Sequence, residues 1–281
     1  MRKIDKPLDL PEEVFRICIS HIQNVDLKSR LELCEPAIIA ASHEMETKAI
    51  LSDLHSIATS ENVSGLVTGK EMERVYTDRM AKKNSPGRPF YDRLISTPAH
   101  GRCPLCGQRI VSTLDHHLPK AFYPALAVAP LNLVPSCRDC NTIKINSIPR
   151  TAEQETLHPY FDNVNDDIWL KCYVVEESPA SVIFYVDPPA YWADLLSKRV
   201  KHHFEILKLA SLYGSHSADE LSSIRYSLRK LLSSGGKESV FSFLQDAAAS
   251  KAAGLPKNSW QTAFYVGLAN NDWFCEGGFD S

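Results

Sequence analysis

Apolar side chains recur at helical spacing along the first 97 residues, and turn-forming residues divide this pattern into segments. Pro36 interrupts one long amphipathic stretch, because a proline inside a helix removes a backbone hydrogen bond. Thr68 and Glu71 have the spacing of a capping box, which begins a helix. The run NSPGRP at 84–89 then breaks the pattern. The predicted helices, which make 1–97 an all-helical region, cover 10–24, 27–58 with a break near Pro36, and 68–82.

A different pattern follows residue 150. β-branched and aromatic residues concentrate at 168–175 and 181–186, which predicts a hairpin. Helical patterns return afterwards, and Ser217 with Glu220 matches a second capping box. The predicted helices of this part cover 190–212, 218–233, 238–253 and 259–270.

The middle of the chain combines extended and helical patterns over a short distance. An extended pattern runs from Val111 to His117 and stops at Pro119, and a second apolar run lies at 125–128. A helix is predicted to begin near Arg138, so a hairpin is followed by a helix. The chain is therefore predicted to be an α+β protein with a helical N-terminal region at 1–97, this core at 98–150, and a mixed hairpin and helical region at 151–281.

Four cysteines of the core form two C-x-x-C pairs with 30 residues between them. Each pair can direct two thiolates at one ion from a tight turn, and two pairs complete a tetrahedral zinc site. The alternatives are four unrelated cysteines or a disulfide framework, which is disfavoured since no signal-like apolar stretch opens the sequence. Such a zinc is structural, and it fastens a segment too short to bury a core of its own. The four residues are Cys103, Cys106, Cys137 and Cys140.

Composition places the chain among ordinary globular proteins, with 281 residues, of which 44% are hydrophobic and 23% charged. No run of 18 apolar residues is present, so no membrane span is expected. Scattered cysteines outside the two pairs suit a reducing cytoplasm. Between Arg79 and Arg150, eleven lysines and arginines stand against three acids, a local charge of +8 within a net charge of −3, which leaves −11 for the rest of the chain. A basic centre suits contact with a phosphate backbone.

A second set of polar residues is interleaved with the cysteines. Asp115, His116 and His117 end the extended pattern, Asn132 lies before the second cysteine pair, and Asn141 directly follows the last cysteine. Carboxylate and amide oxygens suit a hard divalent ion, and an imidazole suits a general base near neutral pH. If the hairpin packs on the start of the helix, Asp115 and Asn141 can face each other across a small cleft. Metal-assisted phosphodiester hydrolysis needs such a set.

The strings DHHLPK at 115–120 and NLVPSCRDCNTIK at 132–144 resemble the HNH endonuclease family in its zinc-containing form. The resemblance spans 101–144 and implies a zinc-stapled ββα-metal core, like a treble clef, between the all-helical N-terminal region and the hairpin-plus-helices C-terminal region. The roles that it implies are a metal-ligand carboxylate for Asp115, the general base for His116, a residue that steadies the loop and the base for Asn132, and a second metal ligand for Asn141.

The resemblance also implies a catalytic Mg²⁺ or Mn²⁺ beside the structural zinc, and a DNA substrate cut to a 5′-phosphate and a 3′-hydroxyl. Lys120, Arg138 and Lys144 are candidates to hold flanking phosphates, the alternative being solvated surface charges. His117 stands where the family more commonly has a hydrophobic or aromatic residue, and a packing or substrate-facing role is favoured over a second base or an extra ligand. His158, in the string LHPYFD, could reach the active site or stack on nucleic acid, but a satisfied loop histidine is favoured.

Two classes of function compete for this sequence. The first is a metal-dependent endonuclease acting on DNA, with RNA as an alternative substrate, and the second is a zinc-stapled module that binds nucleic acid or protein without cutting. The set Asp115, His116, Asn132 and Asn141 favours catalysis, since a binding module has no need of it. The core string followed by LHPYFD is also similar to HNH nucleases encoded beside ATPases in Septu-type and retron-associated anti-phage systems. That similarity implies a defence role and an ATPase partner that docks on the helical flanks.

Overall fold

The structure, a computed structural model, describes residues 1–144 and 147–280. Contacts group the chain into two compact units, Met1–Asn163 and Val164–Ser281. The described residues contain helices and three small antiparallel sheets, which confirms the α+β class. Within the described residues, none of the helices combines the length and the apolar character needed to cross a bilayer.

The described part of the first unit has helices around two short strand pairs. Its elements in chain order are α1 (Pro11–Ile19), α2 (Val25–Leu33), α3 (Glu35–Ile50), β1 (Asn62–Val63), β2 (Val67–Thr68), α4 (Gly69–Tyr76), α5 (Arg88–Ser96), β3 (Thr113–His116), β4 (Leu133–Ser136) and α6 (Arg138–Lys144). The described residues of the second unit form one hairpin and four α-helices. Its elements are β5 (Leu170–Val175), β6 (Ser181–Val186), α7 (Asp194–Ile206), α8 (Leu209–Gly254), α9 (Trp260–Ala269) and α10 (Asp272–Cys275).

Local sequence signals set several of the helix ends. The side chain of Thr68 accepts a hydrogen bond from the Glu71 backbone N–H, and the Glu71 side chain accepts one from the Thr68 backbone, which confirms the predicted capping box of α4. Pro36 lies in the first turn of α3, where its missing N–H group costs no helical hydrogen bond. The stretch predicted at 27–58 therefore contains two helices that meet at Cys34, and the second ends at Ile50, before the predicted end.

The prediction that 1–97 is all-helical is wrong in one segment. β1 and β2 form a short antiparallel hairpin whose turn includes Ser64 and Gly65, both with positive φ. Each strand has only two residues, so the sequence offers no alternation long enough to reveal it.

One hydrophobic core joins the N-terminal helices to the strand pair of the predicted nuclease core. Val14 and Phe15 of α1, Met72 of α4, Leu114 of β3 and Leu133 of β4 belong to the same buried cluster. The regions predicted at 1–97 and 98–150, the second of which includes the undescribed residues 145–146, are thus parts of a single compact unit that extends to residue 163. The helices bury their apolar faces against the strands, which are too short to form a core alone.

The partner of β3 is not the predicted apolar run at 125–128, where the chain forms a 3₁₀ turn at Pro124–Leu126. β3 pairs with β4 in antiparallel register, Asp115 opposite Val134 and His116 opposite Leu133. All four residues of β4 are buried, so its sequence lacks the alternation of a strand with one exposed face. The helix predicted near Arg138 is confirmed as α6.

The second unit confirms the predicted hairpin, with Cys172 paired to Phe184. The stretches predicted at 218–233 and 238–253 both lie within α8, and the predicted break between them is confirmed at Gly236, whose φ of 65° and ψ of −163° are not helical. The capping box predicted at Ser217 is wrong, because Ser217 lies inside α8 and its hydroxyl donates to the Gly214 carbonyl. α9 packs on both α8 and β5 and completes the core of this unit.

Candidate metal and catalytic site

Two tight turns bring the four core cysteines together. The turn from Cys103 to Cys106 closes when the Gly107 N–H donates to the Cys103 carbonyl at 2.7 Å, and Gly107 adopts a φ of +68°, which glycine reaches without a steric penalty. Cys137 directly follows β4, and Cys140 lies in α6. The four sulfur atoms all lie within 4.8 Å of one another, and all four residues are buried.

The cysteine cluster fits a structural zinc ion. Zn–S bonds of about 2.3 Å in a tetrahedron place the sulfurs about 3.8 Å apart, which agrees with the observed spacing. The Arg109 backbone nitrogen lies 3.4 Å from Cys106 Sγ, and the Cys140 backbone nitrogen lies 3.4 Å from Cys137 Sγ. Such donors stabilise thiolate charge. The side chains of Arg109 and Asp139 also pair at 2.8 Å, so an ion pair links the two turns.

Purified protein is expected to carry about one tightly bound zinc per chain, because four thiolates form a closed site. Cys103→Ser should lose this zinc and locally unfold the segment between β3 and α6, since metal binding there is coupled to folding. Elemental analysis and limited proteolysis measure both effects. Cys172→Ser removes a thiol outside the cluster and should keep the zinc. A well-folded wild type without zinc would contradict the assignment.

The side chains of β3 alternate between the core and the candidate site. Leu114 is buried in the hydrophobic cluster, whereas the next side chain, Asp115, contacts Lys144 of α6. His116 follows and contacts the Ala127 carbonyl. Because successive residues of a strand face opposite sides, Asp115 and His116 approach the site from different directions.

Asn132 is fully buried and holds the segment that follows β3. Its side-chain oxygen accepts from the Leu118 N–H at 2.7 Å, and its amide group donates to the carbonyls of Leu118 at 2.9 Å and Leu126 at 3.2 Å. The Asn132 backbone carbonyl also accepts from the His117 N–H at 2.8 Å. One asparagine thus ties both ends of the loop between β3 and β4 to each other.

His116 is half-buried, and its environment fixes its tautomer. Its Nε2 lies 2.9 Å from the Ala127 carbonyl oxygen, which can only accept, so Nε2 carries the hydrogen and Nδ1 is the basic atom. The ring also meets the Tyr76 ring edge-on, with the centroids 4.4 Å apart. Burial lowers the pKa of His116 to about 3, with nearby Lys120 and Lys144 adding to this effect. The imidazole is therefore neutral at physiological pH.

Asp115 and Lys144 form a buried ion pair. Lys144 Nζ lies 2.7 Å from Asp115 Oδ2 and 3.3 Å from the His117 carbonyl oxygen, and the two residues are only 4% and 5% exposed. Burial raises the pKa of Asp115 from its ordinary value, and the Lys144 ammonium opposes this shift. The alternative that Lys144 is a solvated surface charge is therefore wrong, because its charge is buried against a carboxylate. Its contact with a flanking phosphate stays a prediction.

A cavity of about 310 Å³ collects most of the predicted site residues. Asn132 supports it from within the core, and Arg138 lies exposed at the start of α6 rather than among the lining residues. The residues that line the cavity are Asp115, His116, His117, Pro119, Lys120, Asn141, Lys144 and Ser147. The sequence patterns thus converge on one place, which can hold a small anionic group or a cation.

His117 and His158 are both buried and stack on each other, with ring centroids 4.1 Å apart. His158 Nε2 donates to the Leu131 carbonyl at 3.1 Å, and the hydroxyl of Tyr160 donates to the Leu133 carbonyl at 2.8 Å. The string LHPYFD therefore packs against the start of β4. His158 occupies the satisfied, packed position that the sequence favoured, and His117 combines packing with a place in the cavity lining.

Sequence reasoning missed two contacts of the site. Tyr76, from the end of α4, packs on His116, although 40 residues separate them. The pairing of Asp115 with Lys144 was also missed, because each was assigned a separate partner. The spacing of Lys144, three residues after Asn141, was the available signal, since residues three apart share one helical face.

Comparison with known proteins gives one relative along the full length. Protein ea31 of Escherichia phage lambda is 28% identical to this chain over an alignment of 299 positions, which covers 99% of this chain and 100% of ea31. Its name states no activity. No protein-family profile matches the sequence, and no solved structure gives a significant match.

Proposed function

We propose that this chain is a metal-dependent HNH endonuclease that hydrolyses phosphodiester bonds in DNA. The observation that carries the proposal is that Asp115, His116 and Asn141 line one cavity between a strand pair and the helix that follows it. The four-cysteine cluster fastens the end of that strand pair to the helix start. This layout matches the ββα-metal core that the sequence motifs imply, with β4 in place of the expected second strand.

Asp115 and Asn141 are the residues that would hold a Mg²⁺ or Mn²⁺ ion. Both present hard oxygen donors, which these ions prefer, and two protein ligands leave coordination positions for water and phosphate. An ion bound there would supply Lewis-acid stabilisation to the scissile phosphate and the leaving 3′ oxygen.

His116 is the proposed general base. Its Nε2–H is held by the Ala127 carbonyl, so Nδ1 is the atom that takes a proton from the attacking water. Burial keeps the ring neutral, so the Nδ1 lone pair carries no proton at physiological pH. Asn132 contributes indirectly, because it fastens the loop that carries Ala127 through its bonds to Leu118 and Leu126.

Lys120 is the lining residue best placed to meet a substrate phosphate. It is partly exposed at the cavity, whereas Lys144 is buried. Arg138 is exposed on the same helix as Asn141 and remains a candidate for a more distant phosphate. The charge of +8 between Arg79 and Arg150 would attract a nucleic-acid backbone to this part of the molecule.

Incubation of the purified protein with supercoiled plasmid and with structured RNA, each with Mg²⁺, with Mn²⁺ and with EDTA, tests the proposal. Nicking or linearisation of the plasmid only with a divalent ion is the expected result. Binding in a gel shift without cleavage under any condition would favour the rival, a zinc-stapled binding module. Cleavage of RNA alone would change the substrate class.

The defence role and the ATPase partner are further parts of the proposal, and their support is the resemblance of the core string and LHPYFD. Co-expression with an ATPase encoded beside the gene, followed by purification of a stable complex, is the corresponding test.

A further inference from the structure

The ammonium group of Lys144 lies against the carboxylate that would bind the catalytic ion. It donates to Asp115 Oδ2 at 2.7 Å and lies 3.3 Å from the His117 carbonyl oxygen. Both members of the ion pair are almost fully buried. A buried carboxylate without a counter-charge is strongly destabilised, so Lys144 stabilises Asp115 in its ionised form.

The helix places this lysine beside the second proposed metal ligand. Lys144 lies three residues after Asn141 in α6, so both side chains project from one helical face, and both line the same cavity. A divalent ion that binds Asp115 and Asn141 must therefore displace the ammonium group or share the carboxylate with it. The long, flexible stem of lysine permits such a displacement.

The charges of the cavity lining disfavour the binding of a divalent cation in the absence of substrate. Among the described lining residues, Asp115 is the one acid, while Lys120 and Lys144 are both cationic. These two lysines and one aspartate give the described lining a formal charge of +1 before any ion binds. A substrate phosphate brings the negative charge that this balance lacks.

We infer that Lys144 is an internal counter-ion that keeps the divalent cation out of the substrate-free protein, so that the ion binds tightly only together with a nucleic-acid phosphate. This inference rests on the proposed function and adds an order of assembly to it. Because coupling between two ligands is reciprocal, the ion should strengthen binding of the nucleic acid by the same factor. The device would limit metal-dependent chemistry to the substrate complex.

The test measures Mn²⁺ affinity directly by electron paramagnetic resonance on the zinc-loaded full chain, in a His116→Ala background that prevents cleavage. Titrations are made with Mn²⁺ alone and with a short phosphodiester duplex present. The duplex should tighten Mn²⁺ binding by at least about tenfold, within the usual range of coupling between sites. This first comparison needs no substitution at Lys144.

Lys144→Met should bind Mn²⁺ at least about tenfold more tightly than the background protein without duplex, because one buried positive charge close to the ion is removed. In this variant the duplex should tighten Mn²⁺ binding by a smaller factor than in the background protein. Lys144→Gln, which keeps a hydrogen-bond donor toward Asp115, serves if the methionine variant fails to fold. Lys120→Met is the matched control and should weaken duplex binding with a smaller effect on Mn²⁺ alone. Zinc content and circular dichroism check the fold.

Unchanged or weaker Mn²⁺ binding in a folded Lys144 variant would overturn the inference, and so would tight, duplex-independent binding in the background protein. In either case metal-dependent plasmid cleavage by the wild type would leave the proposed function intact. No Mn²⁺ binding under any condition, together with no cleavage by the wild type, would reject both.

Discussion

Replacement of His116 by alanine is expected to slow DNA cleavage by about 10²–10⁴-fold, the contribution of general-base catalysis. The alanine variant lacks the Nδ1 atom that would take the proton of the attacking water, while the four-cysteine cluster and the β3–β4 pairing do not depend on the ring. Plasmid nicking with Mg²⁺ at matched protein concentrations measures the effect, and zinc content confirms the fold.

His117→Ala is the control for the identity of the base. His117 stacks on His158 and lines the cavity, so its loss should affect stability more than the chemical step. Abolished activity in a folded His117→Ala protein, combined with normal activity in His116→Ala, would move the base by one position.

The pH dependence of cleavage gives a second check on His116. A histidine of ordinary pKa, about 6.5, loses about 90% of its basic form by pH 5.5. Burial lowers the pKa of His116 to about 3, so its basic form should persist over this range. Single-turnover cleavage rates with saturating Mn²⁺ should therefore fall less than tenfold between pH 7.5 and pH 5.5. A tenfold fall in the wild type that is absent from the His116→Ala variant would contradict the lowered pKa.

The parts of the fold that the sequence predicts well depend on local signals. The capping box of α4, the start of α6 and the hairpin of β5 with β6 each follow from residues close together in the chain. The cysteine cluster is also predictable, because two short, fixed spacings impose the geometry of the ligands whatever lies between them.

The choice of partner for β3 could not be read from local patterns. The run at 125–128 and the strand Leu133–Ser136 are both apolar, and the first is buried in a 3₁₀ turn and the residues after it. Two tertiary constraints select the second: Cys137 must reach the cysteine cluster, and Asn132 must close the loop onto Leu118. Neither constraint changes the hydrophobic pattern itself.

The surroundings of the candidate site depend on long-range packing. Tyr76 reaches His116 because α4 and the strands share one core, which the separation into regions at 1–97 and 98–150 did not anticipate. The sequence also supplied the charges of Asp115 and Lys144 without the information that both are buried. Burial converts two independent functional assignments into one ion pair.

Replacement of Asp115 is the second change with a large expected effect, and it separates an enzyme from a binding module. Asp115→Ala would leave the Lys144 ammonium buried without its carboxylate, which risks unfolding. Asp115→Asn keeps the shape and an oxygen that can accept from Lys144, and removes only the negative charge. Asp115→Asn is therefore the more informative single variant. The double variant Asp115→Ala with Lys144→Met, in which neither charge remains, is measured beside it.

Asp115→Asn is expected to reduce cleavage by at least about 10³-fold, because the only acid among the described cavity residues is the main attraction for the catalytic ion. Binding of DNA should be unchanged or stronger, since one negative charge next to the phosphate is removed. Asn141→Ala should reduce cleavage more mildly, and excess Mn²⁺ should partly reverse the loss. EDTA should stop cleavage before it removes the zinc, since thiolates hold zinc more tightly than oxygen ligands hold Mg²⁺. A gel shift and a nicking assay on the same Asp115→Asn sample decide the matter. Undiminished cleavage would refute the metal role, whereas joint loss of binding, zinc and cleavage would show that Asp115 serves folding.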